Sequence, residues 1–245
     1  MMQEWGGPLI GALLVGALIF GGAFLGMRHL RYDGPQARAE EDKRNTRLRW
    51  FADRVRAQMF RYEMGGRPEW GVMPTSASDG FGVGRRTEWN TAIRFQYRNH
   101  DVQAIDYTYW IHRRTRNRTR SIEYNKVFYE VRTPPWPLVQ ISSRYIHTFT
   151  GPGDQFPEIT LGNEFDRWFR VHAEDERFAR TLLQGPVLDF LMADQRCQTK
   201  WMVFQEECLW WDRPGKLDAA AVLRHVNPLI DIVDRLPRQA WQYRR

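Results

Sequence analysis

Five arginines, Arg113, Arg114, Arg116, Arg118 and Arg120, fall within eight residues with no acid among them. Guanidinium groups this dense suit an anionic surface, a lipid headgroup layer or an acidic protein partner. The same density makes the charges repel one another and stay hydrated, which is the reading of a solvated loop. Nucleic acid is a third partner of this chemistry and predicts steep salt dependence; a tip facing a membrane disfavours it.

Other candidates are weaker. Asp106 lies among aromatic residues, a setting that raises a buried acid's pKa; pairing with an arginine or a backbone amide is the alternative. Asp166, Glu174, Asp175 and Glu176 are close in sequence, and helix capping accounts for most of them. The six histidines, His29, His100, His112, His147, His172 and His225, match no metal-ligand spacing. No Gly-x-Ser-x-Gly nucleophile elbow occurs. The glycine-rich 80–84 is followed by Arg85, Arg86 and a strand pattern, so it reads as a loop and not a phosphate cradle. Trp201, Trp210 and Trp211 offer a stacking platform, although core packing is the stronger reading. Cys197 and Cys208 fit neither a zinc pattern nor a CxxC motif, which predicts free, buried thiols. The sequence therefore predicts no catalytic residue, metal or cofactor.

These residues must be positioned by elements legible in the pattern. The 245 residues are 42% hydrophobic and 27% charged, which excludes a disordered chain. Net charge is +7 and the pI near 9.7. Only Lys43, Lys126, Lys200 and Lys216 are lysines, so 32 of the 36 basic residues are arginine. A bias that broad dilutes the meaning of any one arginine.

Residues 8–27 carry no charge. At 1.5 Å per helical residue they span roughly 30 Å, the thickness of a bilayer core. Their length and the lack of a preceding Lys or Arg favour a transmembrane helix over a cleaved signal peptide. Arg28, Arg31, Arg38, Lys43, Arg44 and Arg47 follow the span, and only Glu4 precedes it. The positive-inside rule then puts the N-terminus outside and the remainder in the cytoplasm, as a single-pass protein of the cell membrane. Gly7, Gly11, Gly22 and Gly26 share one sector of that helix, spacing that permits self-association; glycine is also common in membrane helices generally.

Residues 28–66 form a juxtamembrane segment, with a helix predicted over 35–63. Leu48, Phe51, Ala52, Val55, Met59 and Tyr62 recur at helical spacing. The stripe suits either anionic lipid or docking on the following domain, and its shortness favours docking.

Residues 67–148 read as an antiparallel, half-buried sheet. Ile93, Phe95 and Tyr97 alternate with Arg94, Gln96 and Arg98, followed by a turn. Ile105, Tyr107, Tyr109 and Ile111, then Val127, Tyr129 and Val131, continue the alternation on either side of the arginines. The arginine run is thus expected at the tip of a long hairpin. A further short strand follows Pro134-Pro135.

After a loop, residues 157–237 read as strand, two short helices, hairpin and helix. The strand ends near Val171, Asp175 caps the first helix and Pro186 opens the second. The hairpin turns at Gln205-Glu206. The last helix starts at Asp218, places Leu223, Val226, Ile230 and Val233 on one face, and contains Pro228. The fold class is α+β: a transmembrane helix, a juxtamembrane helix, an antiparallel sheet, then strand–helix–helix–hairpin–helix.

Residues 90–110 resemble the strand–turn–strand of a family of uncharacterised, membrane-anchored bacterial proteins of actinobacterial type. The shared positions are Val102, Ala104, Asp106, Tyr107 and Tyr109. A second segment resembles the family at Phe165, Asp166, Phe169, Val171, Asp175, Phe178 and Ala179. Phe95 and Asn99 stand where the family has glycine, His100 replaces an arginine, and Ile105 a phenylalanine. The resemblance implies an anchor with a cytoplasmic α+β domain of unknown function, and it supplies no site residues.

The expected function is a non-enzymatic, membrane-anchored interaction protein that contacts an anionic surface or a protein partner. The alternatives are an enzyme with a site between the two cytoplasmic halves, using Asp106 or a histidine, and nucleic-acid binding through the arginines.

Overall fold

The computed structural model describes residues 34–64, 68–72, 85–115, 118–145 and 151–243, with backbone alone at 85–87, 111–115 and 118–122. The apolar span 8–27, its glycines, the 80–84 loop and Arg116 lie outside the described residues. No helix among the described residues is long and apolar enough to cross a membrane. The chain divides into two compact units, 1–49 and 50–245.

Helix α1 spans Pro35–Val55. Within the first unit its solvent face carries the ion pairs Lys43–Glu40 and Arg44–Glu41, each at 3.1 Å. In the second unit Phe51 meets Phe95 edge-on, with ring centroids 5.6 Å apart. The apolar stripe therefore docks on protein there. The helix stops eight residues before the expected end. Arg56 turns to φ 53°, and the chain continues as strand β1 (Gln58–Arg61). Met59 and Tyr62 thus leave the stripe.

Strands β2 (Arg85–Tyr97), β3 (His100–Thr115) and β4 (Arg118–Ser143) form consecutive antiparallel pairs. Arg98 and Asn99 both have positive φ, 52° and 63°, the conformation a two-residue hairpin requires to match strand twist. Asn tolerates that region well, so the turn forms without a glycine.

Then come β5 (Glu158–Ile159), helix α2 (Phe165–Trp168), β6 (Phe169–Ala173), α3 (Glu176–Leu182), α4 (Pro186–Ala193), α5 (Gln195–Gln198), β7 (Trp201–Pro214), α6 (Ala219–Val233) and α7 (Arg238–Trp241). The sequence placed a strand where α2 stands. Asp175 caps α3 through Phe178 N at 3.1 Å, and Pro186 opens α4. Asp218 caps α6, which buries Val226, Ile230 and Val233 but leaves Leu223 half-exposed.

Among the described residues all seven strands join one sheet. Its centre is the β4–β7 ribbon, paired from Lys126↔Pro214 to Ser142↔Trp201. Two expectations are corrected here. The residues after Pro134-Pro135 are no separate strand, and residues 200–211 do not pair with each other as a hairpin. Proline gives no N–H to a ladder, and β4 carries Pro134, Pro135 and Pro137. Its register against β7 slips on both sides of Trp136 without ending. Opposite, Glu206 adopts φ 53°.

At that corner the ribbon folds back. Trp201 meets Trp210 edge-on at 4.9 Å, and Trp201 Nε1 donates to Asp212 at 3.0 Å. One arm of the ribbon pairs β3 and the other β6. Ile105, Tyr107, Phe128 and Trp210 from the first arm's side form one cluster with Leu138, Trp201 and Val203 from the second. The sheet is consequently buried on both faces around β3, where residues 102–108 are all below a tenth exposed. The half-buried expectation fails because the ribbon closes over the Ile105 and Tyr107 face of β3, while the approach to α6 meets Asp106 on the opposite face.

Candidate functional site

The β3–β4 ladder stays in register to Thr115↔Arg118, leaving two residues between the strands. Arg113 pairs opposite Arg120, and Arg114 opposite Thr119. Two-residue alternation puts positions 113, 118 and 120 on one parity of the ladder and position 114 on the other. The hairpin gathers four of the five arginine positions into its last three cross-strand pairs.

A second feature had no counterpart in the sequence reading. At the ribbon's corner lies a groove of about 900 Å³, lined by Trp70, Gly71, Trp136, Phe156, Glu206 and Cys208 among others. Proline slippage creates it by turning Pro134–Leu138 away from a regular ladder. Glu69, Glu174 and Glu207 complete its acidic side, and Tyr243 also lines it.

Behind the groove wall lies Glu130, fully buried. Its Oε1 accepts from Val72 N and its Oε2 from Gln103 Nε2, each at 2.8 Å. Gln103 Nε2 also donates to Trp70 O at 2.7 Å, and Tyr107 Oη to Val72 O at 2.5 Å. Three polar side chains, Glu130, Gln103 and Tyr107, thus hold the 70–72 segment across the sheet. Burial pushes the Glu130 carboxyl up to about 8, against the two donors that favour its charge. In sequence Glu130 looks like an outward residue of an alternating strand. The only available signal was that its parity partner Phe128 is apolar.

The acids the sequence singled out serve structure. Asp106 accepts from Leu217 N at 3.2 Å and so fixes the approach to α6. Asp166 accepts from the backbone N–H groups of Leu161, Gly162 and Asn163 at 2.7–3.3 Å. Glu174 accepts from Leu138 N at 3.1 Å, and Glu176 pairs with Arg180 at 2.7 Å. Asp175 also receives the Tyr243 hydroxyl, which holds its carboxyl below the usual range.

The histidines with described side chains, His100, His172 and His225, do not converge; His29 and His147 lie outside the described residues. His100 contacts Asp234 at 2.7 Å, beside the Arg98 bridges to Asp231 and Asp234. His172 Nδ1 donates to Phe156 O at 2.9 Å. His225 packs on Tyr129, with ring centroids 4.8 Å apart, and its Nε2 accepts from Arg213 at 2.9 Å. Burial, then the Arg213 charge, lowers its pKa to about 4. Neither Asp106 nor any histidine among the described residues lines the groove, so His100, His172, His225 and Asp106 are not brought together there. Among the described residues no cluster of His, Cys, Asp and Glu could hold a metal ion.

Trp201 and Trp210 are core residues, as expected. Trp211 is buried too, with Lys200 Nζ 5.5 Å from its ring centroid. Cys197 and Cys208 are unpaired and buried. Burial raises the Cys197 thiol to about 12 and the Cys208 thiol well above its ordinary value.

No protein-family model matches the chain, and no curated protein sequence matches it. The family resemblance therefore stands on the residues quoted for it. Among solved structures, the chain is similar to the crystal structure of the mycobacterial trehalose monomycolate transport factor A, TtfA. The likeness covers 78% of this chain and 95% of that one, at 14% identity and a TM-score of 0.46.

Proposed function

We propose that the protein is a single-pass, membrane-anchored interaction protein of the cell membrane, its C-terminal part cytoplasmic, whose β3–β4 hairpin contacts an anionic bilayer surface. The observation that carries this reading is the unbroken register to Thr115↔Arg118, which concentrates four of the arginine positions in the last three pairs of the β3–β4 ladder. Each arginine near anionic lipid contributes on the order of 1 kcal/mol, so five suffice for firm local contact. The anchor at 8–27 would raise the effective concentration of such weak contacts.

The full chain, reconstituted in nanodiscs, tests the reading. An environment-sensitive fluorophore placed by Thr119→Cys should shift to shorter wavelength on anionic lipid and not on zwitterionic lipid. Changing all five arginines to serine should abolish the shift, and 0.5 M salt should weaken it. Identical emission on both lipids would refute the proposal.

A further inference from the structure

Among the described residues the corner groove is lined by four glutamates, Glu69, Glu174, Glu206 and Glu207, and by no Lys, Arg or His. That is the opposite sign to a chain of net charge +7. We propose that this groove binds a basic, extended peptide segment of a partner protein, with an arginine or lysine side chain held between an aromatic face and Glu206.

The chain's own arginines show the mode of recognition at the rim. Arg132 lies 5.7 Å from the Trp70 ring centroid, and its Nη2 is 3.1 Å from Glu207. Arg94 lies 5.7 Å from the Phe60 ring centroid, and its Nη1 is 3.0 Å from Glu69. Each guanidinium thus takes one aromatic face and one carboxylate, the pairing that favours a planar cation. Glu206, at φ 53° and exposed, lines the same groove as Trp70, Trp136 and Phe156, and its carboxylate pairs with no cation among the described residues.

A lone small cation would leave the rest of the groove unused. Trp136 lines it, is 2% exposed, and its indole Nε1 has no hydrogen-bond partner among the described residues. A buried N–H without an acceptor is costly, and a peptide carbonyl is the acceptor that a chain segment supplies. The volume of about 900 Å³ falls within the range of sites that enclose ligands of several residues or less.

The full chain in zwitterionic nanodiscs, which do not compete for cations, provides the test. The probe is the fluorescein-labelled hexapeptide Arg-Ala-Arg-Ala-Arg-Ala, followed by anisotropy. Saturable binding is expected, weakened about tenfold by the double variant Glu206→Gln, Glu207→Gln. Asp231→Asn with Asp234→Asn, acids outside the groove, should leave it unchanged. A benzophenone version of the probe should cross-link within residues 134–138 or 205–208. Equal affinity in the groove variant, or cross-links confined elsewhere, would overturn the proposal. So would a wild-type chain that self-associates and loses that association when the five hairpin arginines become serine, because the groove would then hold a second copy.

Discussion

Glu130 accepts the backbone N–H of Val72 at 2.8 Å, although 58 residues separate them. This bond ties the central strand to the segment that walls the groove. Its energetics depend on pH because the carboxyl is raised from an ordinary 4.5 to about 8. An acid whose folded pKa is raised contributes stability that is fully present below about 4.5. That contribution is lost as pH rises toward 8. Chemical denaturation should show the protein losing a few kcal/mol across this window, and Glu130→Gln should flatten the loss. An unchanged pH slope in the variant would assign it to other groups.

His225 works in the opposite direction. Its pKa falls from 6.5 to about 4, so its contribution is present above pH 6.5 and lost as pH drops toward 4. Between about 4.5 and 6.5 the two slopes oppose each other, and above 6.5 Glu130 acts alone. His225→Gln should therefore steepen the decline between pH 4.5 and 6.5 without altering it above 6.5. In NMR the His225 imidazole should remain neutral at pH 5.5.

Asp106 accepts from the buried Leu217 N–H, which makes it a structural acid. Asp106→Ala should cost about 1–3 kcal/mol by leaving that donor unsatisfied. Liposome contact and peptide binding should survive at temperatures where the variant stays folded. Loss of either function in a folded Asp106→Ala protein would restore a direct role for this residue.

Local signals in the sequence located much of this fold. Arg98-Asn99, Asp175, Pro186 and Asp218 act over two to four residues, and each did what its chemistry predicts. The end of α1 was not legible because Arg56 stops the helix without a glycine or proline. The β4–β7 ribbon was misread for a related reason. Prolines that usually end a strand here only shift its register, because β7 bends with it at Glu206. The arginine hairpin was legible as to place. The groove was not, since it is assembled from residues between 69 and 243. Glu130 was hidden by its alternation, which marks solvent only when nothing folds over that face.

The two thiols give a simple test of the core. Both are buried with raised pKa values, so neither forms much thiolate at pH 8. A thiol reagent such as DTNB should label neither cysteine in the native protein and both after denaturation. Cys208→Ser should introduce a buried hydroxyl beside Glu130 and lower stability by about 1–3 kcal/mol. Fast native labelling at Cys208 would mean that the groove wall opens readily.

Gly71 is the most constrained position of that wall. Its φ is +105°, and an added Cβ would lie 2.1 Å from Glu130 Oε2 and 2.2 Å from Gln103 Nε2. Both neighbours are fully buried and hydrogen-bonded, so neither can swing aside without losing a partner. Gly71→Ala should therefore destabilise the protein by about 2–4 kcal/mol, from backbone strain and disrupted polar contacts together. Adding Glu130→Ala should recover part of that loss by removing the nearest clash. Gly162→Ala makes the informative comparison. It also has positive φ, 79°, but nothing lies within 4 Å of the added Cβ, so it should cost only the backbone strain, about 1 kcal/mol. Equal costs at the two glycines would show that the 70–72 segment yields, and that Glu130 does not depend on its close approach.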